Sequence, residues 1–177
     1  MRVYLVRHAE RADQSDPLFA SADVPLTDYG RRQAALLAER FATIPIQIIY
    51  SSGYVRTRET AEIINRVTHT DIEYVKSIEE LGHDEKMSDV FKRANEFVQF
   101  LTTLKTDTIL VSAHAGIIKM IVFAMVFGEV HLGPAFDAFN ESFHMDYTGI
   151  TLCRYEIREN RWYTVTWNDL GHLPPPT

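Results

Sequence analysis

The strongest constraint on the fold is a repeated alternation of short, apolar, β-rich runs with segments of helical periodicity. A strand followed by an amphipathic helix is the repeating unit of α/β proteins, in which helices cover a mostly parallel sheet. We therefore predict an α/β fold, a three-layer α/β/α sandwich with helices on both faces of the sheet. The predicted strands are RVYLV, IQIIY, IEYV and TILVS, and the predicted helices are residues 28–42, 55–67, 88–104 and 117–127.

Two segments refine this prediction. Residues 88–104 have the clearest amphipathic pattern, and Ser88 is the expected N-cap of that helix. The last two β-rich runs, GITLCRYEI and WYTVTW, are joined only by the polar turn RENR. Such a short connection indicates an antiparallel hairpin, which we place at the edge of the sheet.

Nothing in the sequence divides the chain into separate domains. Its 177 residues suit one domain, and no repeat, low-complexity segment or linker interrupts them. We predict a single domain over residues 1–173, followed by a loose tail at residues 174–177.

Charge and apolar patterning argue against several classes of partner. The formal net charge of −6 offers no basic footprint for nucleic acid. The longest apolar run, MIVFAMVFG, is too short to span a bilayer, and the first residues lack a signal-peptide pattern. Cys153 is the only cysteine, which argues against a disulfide framework and a multi-thiolate metal site. We expect a cytoplasmic protein that binds neither nucleic acid nor membrane.

Arginine and histidine side chains follow three of the predicted strands. Arg7 and His8 end the first strand, Arg56 and Arg58 follow the second, and His114 follows TILV. In such folds the carboxyl ends of neighbouring parallel strands open on one crevice. Two fixed positive charges and two imidazoles, close to helix amino termini, suit a tetrahedral oxyanion such as phosphate. From the residues alone, either Arg56 or Arg58 could supply the second positive charge.

Several motifs together make the chain resemble the histidine phosphatase superfamily, also called phosphoglycerate mutase-like. Ala9 replaces the glycine of the family's Arg-His-Gly signature, and Arg56 matches its phosphate-binding arginine better than Arg58 does. The motifs that carry the resemblance are LVRHAE, PLTDYGRRQAALLAERF, SSGYVRTRETA, SIEELG, VSAHAGIIK and NDLGHL.

The resemblance implies a metal-independent phosphatase of the histidine acid type, which acts on a small-molecule phosphate ester without a cofactor. His8 would attack phosphorus and form a phosphohistidine that water then hydrolyses, since a neutral imidazole is nucleophilic near neutral pH. Arg7 and Arg56 would bind phosphate oxygens. His114 would donate to a third oxygen as charge develops.

The resemblance also implies a general acid on the segment after the third predicted strand, where two glutamates are adjacent. The family's spacing favours Glu80 over Glu79. Acid catalysis near neutral pH requires a raised pKa or a proton gained in the substrate complex. We expect Glu80 to be the acid and retain Glu79 as the alternative and as a candidate substrate-binding residue.

Three further candidates for substrate contact are Arg11, Gln14 and Thr27. Arg11, like Arg58, is expected mostly as a solvated charge, and Gln14 stands where relatives often have a phosphate-contacting asparagine. Residues 127–149 carry four phenylalanines and a tyrosine, and either line the crevice or pack in the core. The cluster GHDE is best explained as a surface turn, and no metal site is predicted.

Three alternative functions stay open. They are a phosphohistidine protein phosphatase, a phosphomutase and a catalytically inactive phosphate-binding protein. Only a few residues separate the two glutamates from the helix predicted at 88–104, so no long lid could exclude water during phosphoryl return, which disfavours a mutase. The sequence identifies neither the physiological substrate nor the oligomeric state.

Overall fold

A computed structural model of the chain describes residues 1–13, 21–128 and 132–174. Within them, strands assemble into one six-stranded sheet with the order β3-β2-β4-β1-β5-β6. Pairs among the first four strands are parallel, whereas β5 is antiparallel to both β1 and β6. The strands are β1 (Arg2–Arg7), β2 (Ile48–Ser51), β3 (Ile72–Tyr74), β4 (Thr108–Ala113), β5 (Ile150–Glu156) and β6 (Arg161–Asp169). The predicted α/β fold with its antiparallel edge hairpin is confirmed.

Four of the helices correspond to predicted segments, with small shifts at their ends. The helices are α1 (Asp28–Phe41), α2 (Val55–Thr68), α3 (Met87–Thr103), α4 (Ala115–Phe127) and α5 (Pro134–Ser142), and a short 3-10 helix spans Lys76–Ile78. Helix α3 begins before Ser88, and its N-cap is Lys86, so the predicted Ser88 cap is wrong. Helix α5 was not predicted, because it has only nine residues and begins at a Gly133-Pro134 pair, which is typical of a turn.

Helices cover both faces of the sheet, as predicted. Successive strand residues point to opposite faces. Val6 and Leu110 belong to the core formed with α1 and α2, whereas Leu5 and Val111 belong to the core formed with α3 and α4. The sheet is therefore the middle layer of three.

The register of the parallel strands brings their carboxyl ends to one edge of the sheet. Arg7 pairs with Ala113 between β1 and β4, and the ladder continues one residue further, where the His8 amide donates to the Ala113 carbonyl at 2.9 Å. On the other side of β4, the Ser52 amide donates to the Ser112 carbonyl at 3.0 Å. Side chains that follow β1, β2 and β4 therefore leave the sheet side by side.

Membrane-spanning helices and the end of the chain were also the subject of predictions. No helix in the described part of the chain combines the length and apolarity needed to span a lipid bilayer. The last three residues of the predicted tail and the candidate residue Gln14 lie outside the described residues. The single-domain boundaries stay a prediction.

Candidate active site

The two histidines predicted to meet at the sheet edge do so. The imidazole rings of His8 and His114 lie with their centroids 5.2 Å apart, and both side chains are buried. Arg56, in the first turn of α2, donates from Nε to Nδ1 of His114 at 3.3 Å. Arg7 and Arg56 are both close enough to His8 for their charges to lower its pKa. One crevice therefore holds all four side chains.

His8 is neutral and presents one ring nitrogen for chemistry. Its Nδ1 lies 2.8 Å from the Ala9 carbonyl oxygen, which can only accept, so Nδ1 carries the proton. Burial, followed by the charges of Arg7 and Arg56, lowers the pKa of His8 well below its usual value. The lone pair therefore resides on Nε2, which is the nucleophilic atom of a neutral imidazole in this tautomer.

His114 is also neutral, with the opposite tautomer. An arginine N–H can only donate, so Nδ1 of His114 accepts from Arg56 and Nε2 carries the proton, which points to the Ser52 hydroxyl at 2.9 Å. Burial lowers the pKa of His114 well below its usual value, and the neighbouring His8 and Arg56 lower it further. The predicted role of His114 as a donor to phosphate requires this Nε2 proton.

Arg56 is a buried cation and Arg7 a partly buried one, and both retain capacity for an anion. Arg7 donates from Nη1 to the Met145 carbonyl at 2.6 Å, and its guanidinium lies 4.1 Å from the centre of the Tyr147 ring. Its Nε is buried without a hydrogen-bond partner among the described residues. Burial lowers the pKa of Arg7 and brings that of Arg56 to about 10, so both remain charged at neutral pH. A phosphate would satisfy the unpaired donor and offset the crowded positive charge.

Arg11 corrects one sequence expectation. It was expected mostly as a solvated charge, but its side chain is only 4% exposed. Its charge contributes to the lowered pKa values of Arg7, His8 and Arg56, which places it beside the same crevice. Arg58, by contrast, is exposed and lies over the Tyr74 ring at 5.8 Å. The geometry thus brings Arg56, and not Arg58, to the histidines.

The two glutamates occupy different positions. Glu80 is buried, and its carboxylate accepts from the Gly116 amide at 3.2 Å, in the first turn of α4. Its charge acts on both Arg7 and Arg56 and favours their protonated forms. Glu79 is partly buried, and that burial raises its pKa. Glu80 therefore faces the arginines, whereas Glu79 stands towards the exterior.

A cleft of about 620 Å³ opens beside these glutamates. It offers space next to the buried crevice for the part of a substrate that is not phosphate. Most of the residues that line it are of polar or charged type: Tyr54, Lys76, Ser77, Glu79, Glu80, Gly82, Asp84, Glu85, Asp89 and Arg93.

The motif LTDYGRRQA holds the loop that follows His8. Thr27 caps α1 through the Gly30 amide and donates to the Glu10 carboxylate, both at 2.8 Å. Gln33 accepts from the Glu10 amide at 3.0 Å. A Cβ on Gly30 would lie 2.1 Å from the Glu10 carbonyl oxygen, so only glycine permits this approach. The hydroxyl of Thr27 is thus engaged in this packing, and the structure does not group it with the four central side chains.

The aromatic segment 127–149 divides between core and crevice. Phe136 is buried against Phe123, and Phe143 stacks on Phe139. Its carboxyl end reaches the site, where the Tyr147 ring lies 5.5 Å from that of His8. Residues 129–131 of this segment lie outside the described part of the chain.

Three contributors to the crevice were not singled out from the sequence. Ser52 contacts His114, Tyr54 lies over the Arg56 guanidinium at 4.8 Å, and Tyr147 lies beside His8. Ser52 and Tyr54 could have been identified from the sequence, because both come just after the end of β2. No local signal marks Tyr147, because it reaches the site through a turn between α5 and β5. Within the described ranges, no three His, Cys, Asp or Glu side chains group as metal ligands.

Comparisons with known proteins address the family and the fold. Residues 3–85 match the model of the histidine phosphatase superfamily (branch 1). A probable phosphoglycerate mutase, GpmB, from Citrobacter koseri is 40% identical over 82 residues, which are 46% of this chain and 38% of that relative. The chain therefore matches well under half the length of this relative.

Solved structures resemble nearly the whole chain. YhfR from Bacillus stearothermophilus has a TM-score of 0.81 and 23% identity, and the match covers 97% of this chain and 98% of that one. A mutant phosphoserine phosphatase from Entamoeba histolytica, in complex with phosphoserine, has a TM-score of 0.78 and 18% identity, with 98% and 99% covered. At these identities the likeness establishes the fold. The match over residues 3–85, just under half of the chain, agrees with the resemblance to the histidine phosphatase superfamily that the motifs predict.

Proposed function

We propose that this chain is a metal-independent phosphatase of the histidine acid type, which hydrolyses a small phosphomonoester through a phosphohistidine intermediate on His8. One observation carries the proposal. A neutral His8, with its lone pair on Nε2, shares a buried crevice with His114, Arg7 and Arg56. A nucleophile surrounded by fixed donors for a tetrahedral anion suits phosphoryl transfer.

In the first step, Nε2 of His8 attacks phosphorus and the bond to the ester oxygen breaks. Arg7 and Arg56 bind the non-bridging oxygens and stabilise the charge on them. The Nδ1–H bond to the Ala9 carbonyl stabilises the positive charge that the ring gains when the N–P bond forms. The Nε2 proton of His114 is directed to a phosphate oxygen once substrate displaces its contact with Ser52.

The departing alcohol takes a proton from Glu80, which gains that proton in the substrate complex from the monoanionic form of the ester. Glu80 faces the two arginines and adjoins the cleft of about 620 Å³. The alcohol leaves through this cleft. Glu80, now a carboxylate, accepts a proton from the water that attacks phosphorus, and the N–P bond breaks to release inorganic phosphate. Glu80 passes this proton to the departing phosphate and returns to its starting charged state.

The charged residues along the cleft support a polar alcohol as the leaving group. Lys76, Ser77, Asp84 and Asp89 are among its lining residues, whereas the phenylalanines of helix α5 pack on Phe123 and Trp167 away from it. A small ester such as an amino-acid or sugar phosphate fits this lining better than an aromatic one. The structural likeness to a phosphoserine phosphatase solved with phosphoserine agrees with this class.

Phosphate release from a panel of small esters tests the proposal. Wild-type protein should hydrolyse p-nitrophenyl phosphate and at least one alkyl ester, in the presence of a chelator, and the His8→Ala variant should be inactive. Full activity of His8→Ala would refute the phosphohistidine mechanism. Activity that disappears with chelator would refute metal independence.

A phosphomutase is the second candidate, because the 40% identical relative is named a probable phosphoglycerate mutase. The segment between Glu80 and helix α3 comprises only six residues, 81–86, which disfavours a lid over the phosphoenzyme. Incubation with a phosphoglycerate separates the two reactions. Inorganic phosphate is the product of a phosphatase, and an isomerised ester is the product of a mutase.

A further inference from the structure

The segment that carries Glu79 and Glu80 belongs to neither a strand nor a helix. It lies between the 3-10 helix at Lys76–Ile78 and helix α3, which begins at Met87. A catalytic acid on such a segment requires another element to fix its backbone, because loops between elements are otherwise the more mobile part of a fold.

Arg93, on the second turn of α3, supplies contacts that fix this segment. Its Nη1 donates to the carbonyl oxygens of Ser77 at 2.8 Å and Glu79 at 2.6 Å, and its Nη2 donates to that of Glu80 at 3.2 Å. Three backbone carbonyls around the acid are therefore held by one side chain. The guanidinium is rigid and planar, so it fixes the three carbonyls relative to one another.

Glu85 holds Arg93 in turn. Its two carboxylate oxygens accept from Nε at 2.6 Å and from Nη2 at 2.9 Å, and one of them also accepts from the Gly82 amide at 3.1 Å. The hydrogen bonds with Arg93 lower the pKa of Glu85, which keeps the carboxylate charged. The side chain of Arg93 is only 16% exposed, so this pair is shielded from much of the solvent.

These contacts use the whole hydrogen-bonding capacity of Arg93. A guanidinium has five N–H donors, and the five bonds to Ser77, Glu79, Glu80 and Glu85 engage all of them. Although Arg93 lines the cleft, it has no donor left for a phosphate or a substrate. Any role of Arg93 in the reaction is therefore indirect, through the segment that it holds in place.

The other side of Glu80 is fixed by helix α4. The carboxylate accepts from the Gly116 amide, and a Cβ at position 116 would lie 2.5 Å from one carboxylate oxygen. Glu80 is thus held at its backbone by Arg93 and at its carboxylate by the start of α4.

We propose that Arg93, clamped by Glu85, is a positioning residue that sets the carboxylate of Glu80 at the oxygen of the departing alcohol. This inference rests on the proposed phosphatase function. It predicts that loss of Arg93 lowers kcat for some esters more than for others. Proton donation matters greatly for an alkyl alcohol, which leaves poorly without a proton, and little for the acidic p-nitrophenol.

The test compares Arg93→Lys and Arg93→Met with wild type on p-nitrophenyl phosphate and on phosphoserine or another alkyl ester that wild type hydrolyses. A displaced acid should reduce kcat for the alkyl ester by roughly 10- to 100-fold. The kcat for p-nitrophenyl phosphate should remain close to that of wild type. Lys92→Met is the matched control, since Lys92 is the exposed neighbour on the same helix and should behave as wild type on both esters.

Two further variants keep the test decisive. Glu85→Gln retains the length of the side chain and weakens the clamp, so it reports the same selective loss if the Arg93 variants fail to fold. Combining Arg93→Lys with Glu80→Gln should add no further loss on the alkyl ester, because both changes remove the same proton transfer. Equal losses on the two esters, or no loss on either, would overturn the positioning role. Failure of the proposed function itself would be distinguished by wild-type turnover that is absent or independent of His8.

Discussion

The imidazole rings of His8 and His114 lie edge to face, 5.2 Å apart between centroids, although they are 106 positions apart in sequence. Their proximity follows from the register of β1 and β4, in which Arg7 pairs with Ala113, so that each strand ends one residue before its histidine. Burial beside arginines keeps both rings neutral. This pair defines where phosphorus would be attacked.

Replacement of Arg56 should weaken phosphate binding. Arg56→Lys keeps a positive charge but loses the planar fork, and hydrogen bonds to charged groups contribute roughly 1.5 to 3 kcal/mol each. We therefore expect kcat/KM to fall roughly 10- to 100-fold. Arg58→Lys is the control, because Arg58 is exposed and lies over Tyr74. Equal effects of the two substitutions would contradict the assignment of Arg56.

Substitutions of the two adjacent glutamates should differ in how strongly their effect on kcat depends on the leaving group. Glu80→Gln should lower kcat for an alkyl phosphate roughly 100-fold or more and should affect p-nitrophenyl phosphate little. Glu79→Gln should leave the ratio of the two rates unchanged, because Glu79 is only partly buried, whereas Glu80 is buried beside the arginines. The reverse pattern would assign the acid to Glu79, whose pKa is raised by burial.

Stability should fall as the pH decreases below about 6.5. The folded state lowers the pKa values of His8 and His114, so in mildly acidic solution the unfolded chain binds more protons than the folded protein. Each histidine can contribute at most about 1.4 kcal/mol per pH unit within that window. Urea unfolding at pH 7.5 and pH 5.5 measures the effect. The difference in the free energy of unfolding between these two pH values should shrink in His8→Asn and persist in His83→Asn, since His83 is exposed.

Gly30 should tolerate no side chain. A Cβ there would lie 2.1 Å from the carbonyl oxygen of Glu10, which is a backbone atom and cannot move aside as the end of a flexible side chain could. We expect Gly30→Ala to lower the free energy of unfolding by about 2 kcal/mol or more and to reduce activity, because the loop after His8 must shift. Gly133→Ala is the control, since no atom lies within 4 Å of its Cβ position. Its cost as a cap substitution should stay near 1 kcal/mol or less.

The sheet and the central site could be predicted because local patterns carry them. Strand-forming runs set the sheet, and parallel strands necessarily bring Arg7, His8, Arg56 and His114 to one edge. Contacts that depend on tertiary packing left no local signal. Arg93 resembles any solvated helix charge in the sequence, and only the course of the chain around Ser77 and Glu80 brings backbone carbonyls to it.

Arg11 and helix α5 show the same limit. A charged residue in a loop is usually exposed, but Arg11 forms a backbone β-bridge with Leu26 and is buried. Helix α5 has only nine residues, and its apolar positions were equally consistent with a crevice-lining loop. Its packing on Phe123 decides between the two.

The most direct test of the central claim is to trap the phosphoenzyme. Protein mixed briefly with a phosphorus-labelled ester and quenched in alkali should carry one phosphoryl group that is stable to base and labile to acid, and peptide mapping should place it on His8. The label should be absent from His8→Ala. Label on another residue, or full hydrolysis by wild type and His8→Ala alike, would contradict His8 as the nucleophile.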